Sequence, residues 1–250
     1  MPESTFVLTY DQIRQRVGHE RGYRTEIAEW TEDEREKIEF CTRDGSDDFY
    51  NKSNHEWSFL TPLVEFTLEE GESELELPWD FGFVVDPAIY FDDNLGRTCR
   101  IVGDDQVLLK RQNQAGSSGR PVLAAVVVES KPGNITGQRS KLIYWPEASE
   151  DYTVQIRYSI LGAALSAATP MPYGGAGHAG TILEACLAAS ERMDGNPMGS
   201  HSQTYQKLLE ASKVLDRRNK PRVFRGQERY PKHRGRGWRE SNIVTYIPGP

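Results

Sequence analysis

The sequence predicts an α+β chain: a helical bundle formed by N- and C-terminal helices, an inserted antiparallel β-sandwich or barrel domain, and an extended C-terminal arm. Three observations predict it. Apolar residues recur at helical spacing before residue 58, alternate with polar ones from residue 59, and return to helical spacing after a small-residue linker beyond Tyr158. Helix-start boxes precede the helical stretches. Charge is divided sharply: residues 217–240 carry ten Lys/Arg against Glu228 and Glu240, a net +8, while the 216 residues before them carry 20 bases and 35 acids, a net −15. The expected division is 1–58 for the first helices, 59–165 for the β domain, 166–221 for the last helices and 222–250 for the arm. Neither helical pair can bury its stripe alone, so the pairs are expected to pack together.

Thr9-Tyr-Asp-Gln12 opens the first helix as a capping box, in which hydroxyl and amide side chains satisfy each other's orphan backbone groups, and the helix should end near Gly18 or Gly22. Thr31-Glu-Asp-Glu34 opens a longer one with Ile38, Cys41, Gly45 and Phe49 on one face. Val64, Phe66 and Leu68 then alternate with polar residues, and after Glu70-Gly71-Glu72 so do Leu75 and Leu77, which predicts a hairpin with one buried and one acidic face. Further strands are expected at 83–91, broken or placed at an edge by Pro87, and at 97–102, 121–129, 140–145 and 152–160. Residues 178–193 place Ile182, Cys186, Ala189 and Met193 on one stripe. Ser200-His-Ser-Gln203 reads as a third capping box, opening a helix with Tyr205, Leu208, Leu209, Ser212 and Leu215 inward. Trp57, Phe59, Trp79 and Phe81 flank the hairpin, and the expectation is that all four are buried where the β domain meets the helices.

Composition argues against several chemistries. Cys41, Cys99 and Cys186 are odd in number and outside any C-x-x-C spacing, which suggests reduced core residues rather than disulfides or zinc ligands. No signal-peptide pattern opens the chain and no apolar run approaches the roughly 18 residues of a membrane span, so a soluble, unexported protein without membrane contact is expected. The histidines at 19, 55, 178, 201 and 233 never pair at i, i+4. Asp80, Asp86, Asp92, Asp93, Asp104 and Asp105 are read as solvated turn residues rather than a glycosidase pair. Gly174-Gly175-Ala-Gly177 lacks the Lys-Ser/Thr of a phosphate loop. No metal, cofactor or catalytic residue is expected.

The arm interleaves Arg222, Arg225, Arg234 and Arg236 with Phe224, Tyr230 and Trp238, and closes on an uncharged β-prone run holding Ile243, Val244, Tyr246 and Ile247. Such a segment orders on a partner, its rings filling pockets and its guanidinium groups meeting acids, and the closing run fits strand addition to a partner's sheet edge. A nucleic-acid-binding arm is the competing reading of the same arginines.

The order of these segments resembles the head-to-tail adaptor (head-completion, or connector) proteins of tailed bacteriophages. The likeness rests on Trp57, Phe59 and Leu60 at a strand entry, Leu77, Pro78, Asp80 and Phe81 at a turn, Tyr158 in a last strand, and a helix opening near His178 with Glu184 and Glu191 on an alanine-rich face; it spans about residues 5–220. The resemblance implies a non-enzymatic virion protein of the neck between capsid and tail, assembled in the host cytoplasm. About twelve copies would form a ring under the portal protein, extend the channel for double-stranded DNA without sequence-specific binding, and receive a tail-side nozzle or stopper protein. The arm residues named above would then bind the portal. A carbohydrate-binding or carbohydrate-cleaving virion protein acting through the β domain is the alternative; it calls for an exposed Trp57 or Trp79, whereas the adaptor reading calls for both buried.

Overall fold

Local chemistry sets the helix starts. In the computed structural model, which describes residues 6–92, 97–129 and 139–219, α1 (Tyr10–Glu20) and α2 (Glu32–Tyr50) each begin at a complete capping box: Thr9 Oγ1 accepts from the Gln12 amide while Gln12 accepts from the Thr9 amide, and Thr31 and Glu34 do the same. The predicted inward face of α2 is buried at Ile38, Cys41, Gly45 and Phe49. α4 (Ala176–Met193) crosses α2 so closely that a Cβ on Gly45 would lie 2.5 Å from the Cys186 Cα. The alanines of α4 permit that approach, since Ala185, Ala188 and Ala189 bring little bulk between the backbones.

Two expectations at the last helices are corrected. Met193 is 43 % exposed, because the final turn of α4 runs past the packed stretch. The third capping box does not form. Ser200 is already the first residue of α5 (Ser200–Asn219), and the carboxylate of Glu191 on α4 accepts from Ser200 Oγ and from the amides of His201 and Ser202. A charged acceptor at a helix N-terminus answers both the orphan amides and the macrodipole, so it displaces the weaker hydroxyl.

Between these helices lie ten strands: β1 (Leu63–Leu68), β2 (Glu74–Glu76), β3 (Phe81–Val84), β4 (Ala88–Phe91), β5 (Thr98–Ile101), β6 (Ser118–Gly119), β7 (Leu123–Glu129), β8 (Arg139–Trp145), β9 (Glu147–Ala148) and β10 (Tyr152–Ile160). The main sheet runs β1-β10-β4-β5-β7-β8-β2, with β3 also on β10, and is nearly closed, since β1 and β2 are successive in the chain. Its pairs are antiparallel except β5 with β7, which are parallel and joined through α3 (Asp104–Asn113). Pro87 lies in the break between β3 and β4, as expected.

The predicted hairpin is corrected: β1 pairs with β10 over six residues, and β2 pairs with β8. Charge supplies a reason. Pairing β1 with β2 would bring Glu65 and Glu69 toward Glu74 and Glu76, and like charges across a ladder repel. On β8, by contrast, Glu74 meets Lys141 at 2.7 Å and Arg111 at 3.3 Å. The reading of Asp104 and Asp105 as turn residues is also corrected. They form the first turn of α3, and Lys110 and Arg111 its last, a distribution that opposes the helix dipole at both ends.

Among the described residues the chain is therefore mixed α/β, with five α-helices and a nearly closed sheet. It divides into two units, Met1–Asn219 and Lys220–Pro250, the second outside the described residues. In the first unit, one apolar core joins α1, α2, α4 and α5 through Ile13, Ile38, Phe49, Ile182 and Leu209. Another fills the sheet through Leu68, Ile89, Leu142, Val154 and Ile156. A small third core holds Val107 of α3 on Ala125 and Ile143. Ile160, at the end of β10, packs against both larger cores.

Candidate functional site

The densest polar arrangement in the interior surrounds Trp57. Its indole N–H donates to the Phe49 carbonyl at 3.0 Å and contacts Ser53 Oγ at 3.1 Å, while its ring packs on Phe49, Phe59, His55 and His178 at centroid distances of 4.5, 5.3, 4.6 and 5.4 Å. Beside it, Asp216 of α5 is 1 % exposed. One of its carboxylate oxygens accepts from the Ser58 amide at 2.9 Å and from Ser58 Oγ at 2.5 Å; the other meets His55 Nε2 at 2.8 Å.

Serine, histidine and aspartate together invite comparison with a nucleophilic triad, and the geometry decides against it. In a relay the imidazole stands between hydroxyl and carboxylate and takes the hydroxyl proton. Here Ser58 and His55 both address the carboxylate, so the hydroxyl proton is directed at Asp216 and His55 is not its base. The trio fastens α5 to the segment leading into β1. His178, near the start of α4, is 3 % exposed, and its Nδ1 has no hydrogen-bond partner among the described residues. Burial pushes its pKa below the usual imidazole value, with the Asp216 carboxylate partly opposing the shift and His55 adding to it.

A second cluster joins three helices. His201 of α5 contacts Glu184 of α4 at 2.9 Å through Nδ1 and Glu20 of α1 at 3.4 Å through Nε2. Desolvation disfavours its charged form, but the flanking carboxylates outweigh that and raise its pKa. When protonated, the ring is a cationic clasp across α1, α4 and α5. Among the described residues no group of three or more His, Cys, Asp or Glu is placed to hold a metal ion.

Of the four aromatic residues expected at the junction, Trp57 is 1 % exposed and belongs to the helical core; Phe59 packs partly buried against the same core, and Phe81 against the sheet core. The expectation for Trp79 is corrected. It is 72 % exposed in the turn before β3, since its neighbours Leu77 and Phe81 turn inward and leave it pointing away from the core. Asp86 pairs with Arg157 at 3.4 Å, and Asp93 lies outside the described residues. Arg222, Phe224, Arg225, Tyr230, Arg234, Arg236, Trp238, Ile243, Val244, Tyr246 and Ile247 also lie outside them. His55, Ser58 and Asp216 were missed as a group by sequence reasoning. Asp216, though, continues the inward stripe of Tyr205, Leu209 and Ser212 at helical spacing, a signal readable in advance.

No protein-family model matches the chain, and a search of curated protein sequences returned no relative. No helix among the described residues is long and apolar enough to cross a membrane.

Proposed function

We propose that the chain is a structural head-to-tail adaptor of a tailed bacteriophage, a helical bundle bearing an inserted β domain, that forms a closed ring of about twelve copies beneath the portal. The ring extends the DNA channel and presents the tail-attachment surface, and the chain performs no chemistry there. The observation that carries the reading is the division of charge, −15 over the first 216 residues against +8 over residues 217–240. A ring of acidic bodies repels phosphate, so duplex DNA passes without adhering, and the basic arm supplies the opposite sign for docking on a partner. The hydrogen bonds that hold Trp57 and Asp216 in the interior suit a spacer that keeps its shape under load. Deleting residues 222–250 is expected to leave the body folded and to abolish attachment to the portal, measured by co-sedimentation. Undiminished portal binding by the shortened chain would defeat the assignment.

One observation favours the second reading, a carbohydrate-binding β domain: the exposed indole of Trp79. Tryptophan fluorescence titrated with host-surface oligosaccharides separates the two. A saturable change lost in Trp79→Ala supports sugar binding; no change at millimolar sugar leaves the adaptor reading in place.

A further inference from the structure

The outward side of α2 carries a groove that none of the contacts above employs. Two adjoining hollows, of about 430 and 310 Å³, share Phe40 and Arg43; the first is also lined by Asp44, Asp47, Gly162 and Ala164, the second by Glu36 and Glu39. Phe40 is 55 % exposed, facing away from the buried stripe of its own helix. Asp47 is neutralised by Lys52 at 2.6 Å and Glu39 lies 3.9 Å from Arg14, but Glu36 and Asp44 stand in no ion pair among the described residues. The groove thus offers an aromatic floor rimmed by four carboxylates that outnumber its one guanidinium, Arg43. Its ligand must bring flat apolar groups and closely spaced positive charges, and guanidinium groups meet carboxylates best because their donors match both oxygens.

Residues 222–239 have that chemistry: seven Lys/Arg against one acid, with Phe224, Tyr230 and Trp238 spaced among them. We infer that the α2 groove receives residues 222–239 of a second copy of the chain. Each copy then carries one donor segment and one acceptor groove, two different surfaces, and such heterologous pairing propagates around a ring until it closes. The uncharged run at 241–247 lies beyond this contact and is left to dock on the portal by strand addition, so that residues 222–239 serve the ring and the closing run the portal. The inference rests on the self-association in the proposed reading and supplies its means.

The test uses two variants of the full-length chain. The first is Glu36→Lys/Phe40→Ala/Asp44→Lys, which spoils the groove; the second is Phe224→Ala/Tyr230→Ala/Trp238→Ala, which spoils the segment. Mass photometry should show each self-associating at least about tenfold more weakly than wild type, as loss of several anchor residues predicts. Thermal midpoints should change little for the groove variant, whose altered side chains are largely exposed. Mixed, the two should form discrete dimers, because one supplies the intact segment and the other the intact groove. Undiminished association of either variant, or no dimer on mixing, overturns the inference and leaves the adaptor reading standing. A wild-type chain that never self-associates, alone or on a portal, overturns both.

Discussion

Trp57 and Trp79 stand 22 positions apart in one aromatic stretch, and the fold gives them opposite fates. Trp57 is enclosed by four rings and donates its N–H inside the helical core; Trp79 presents most of its surface to solvent at the edge of the sheet. Aromatic density alone therefore does not mark a function. What separates the two is whether helices converge on the ring: α2 and α4 reach Trp57 through Phe49 and His178, and α5 holds its neighbours His55 and Ser58 through Asp216, whereas Trp79 occupies a turn beside a strand start.

The largest expected effect breaks that comparison directly. Trp57→Ala should destabilise the chain by about 3–5 kcal/mol, the range for emptying a large aromatic site in a packed core. Trp79→Ala should cost no more than about 0.5 kcal/mol. Urea denaturation followed by circular dichroism measures both, and equal losses would show that Trp79 is structurally engaged. Next in size is Asp216→Ala, which strips the acceptor from Ser58 and His55. Each buried donor left unmet costs about 1–3 kcal/mol, so a total near the upper end of that range is expected from the same assay. Asp216→Asn, which keeps one acceptor, should lose less. Gly45→Ala should cost about 1–3 kcal/mol as an overpacking change, because the new methyl meets the α4 backbone rather than a mobile side chain.

The smallest effects are those of pH, and the two histidine sites should respond with opposite sign. His178 has a folded pKa below its unfolded value, so the unfolded chain binds the proton more readily, and the stability from its neutral ring is present above about pH 6.5 and lost as pH falls through the window below it. His201 has a raised folded pKa, so its contribution is present below about pH 6.5 and lost as pH rises through the folded value. Thermal midpoints between pH 5 and 8 should therefore fall less steeply on the acid side in His178→Phe. They should fall less on the alkaline side in His201→Gln. Unaltered profiles in both variants would remove the titration argument.

Where the sequence was legible, the determinant was local. The boxes at Thr9 and Thr31 formed because both partners lie within one turn, and the stripe of α2 followed from its spacing. Alternation correctly marked β1 and β10 as strands but carried no information about partners: β1 lies on β10 and β2 on β8, where Glu74 meets Lys141. The box at Ser200 failed because Glu191, nine residues earlier, reached the same amides first. α3 went unread although its terminal charges were visible, since its one buried apolar residue, Val107, is followed directly by two exposed leucines, Leu108 and Leu109, and the run shows no helical stripe. The inward spacing of Asp216 after Tyr205, Leu209 and Ser212 was there to be read, but its partners Ser58 and His55 lie 158 and 161 residues earlier and only the assembled fold brings them to it.

Electron microscopy of the full-length chain mixed with its cognate portal addresses the adaptor proposal most directly. The account predicts a closed collar coaxial with the portal, about twelve copies around, with density from each copy reaching the portal. Single copies scattered in the field beside bare portals would contradict it.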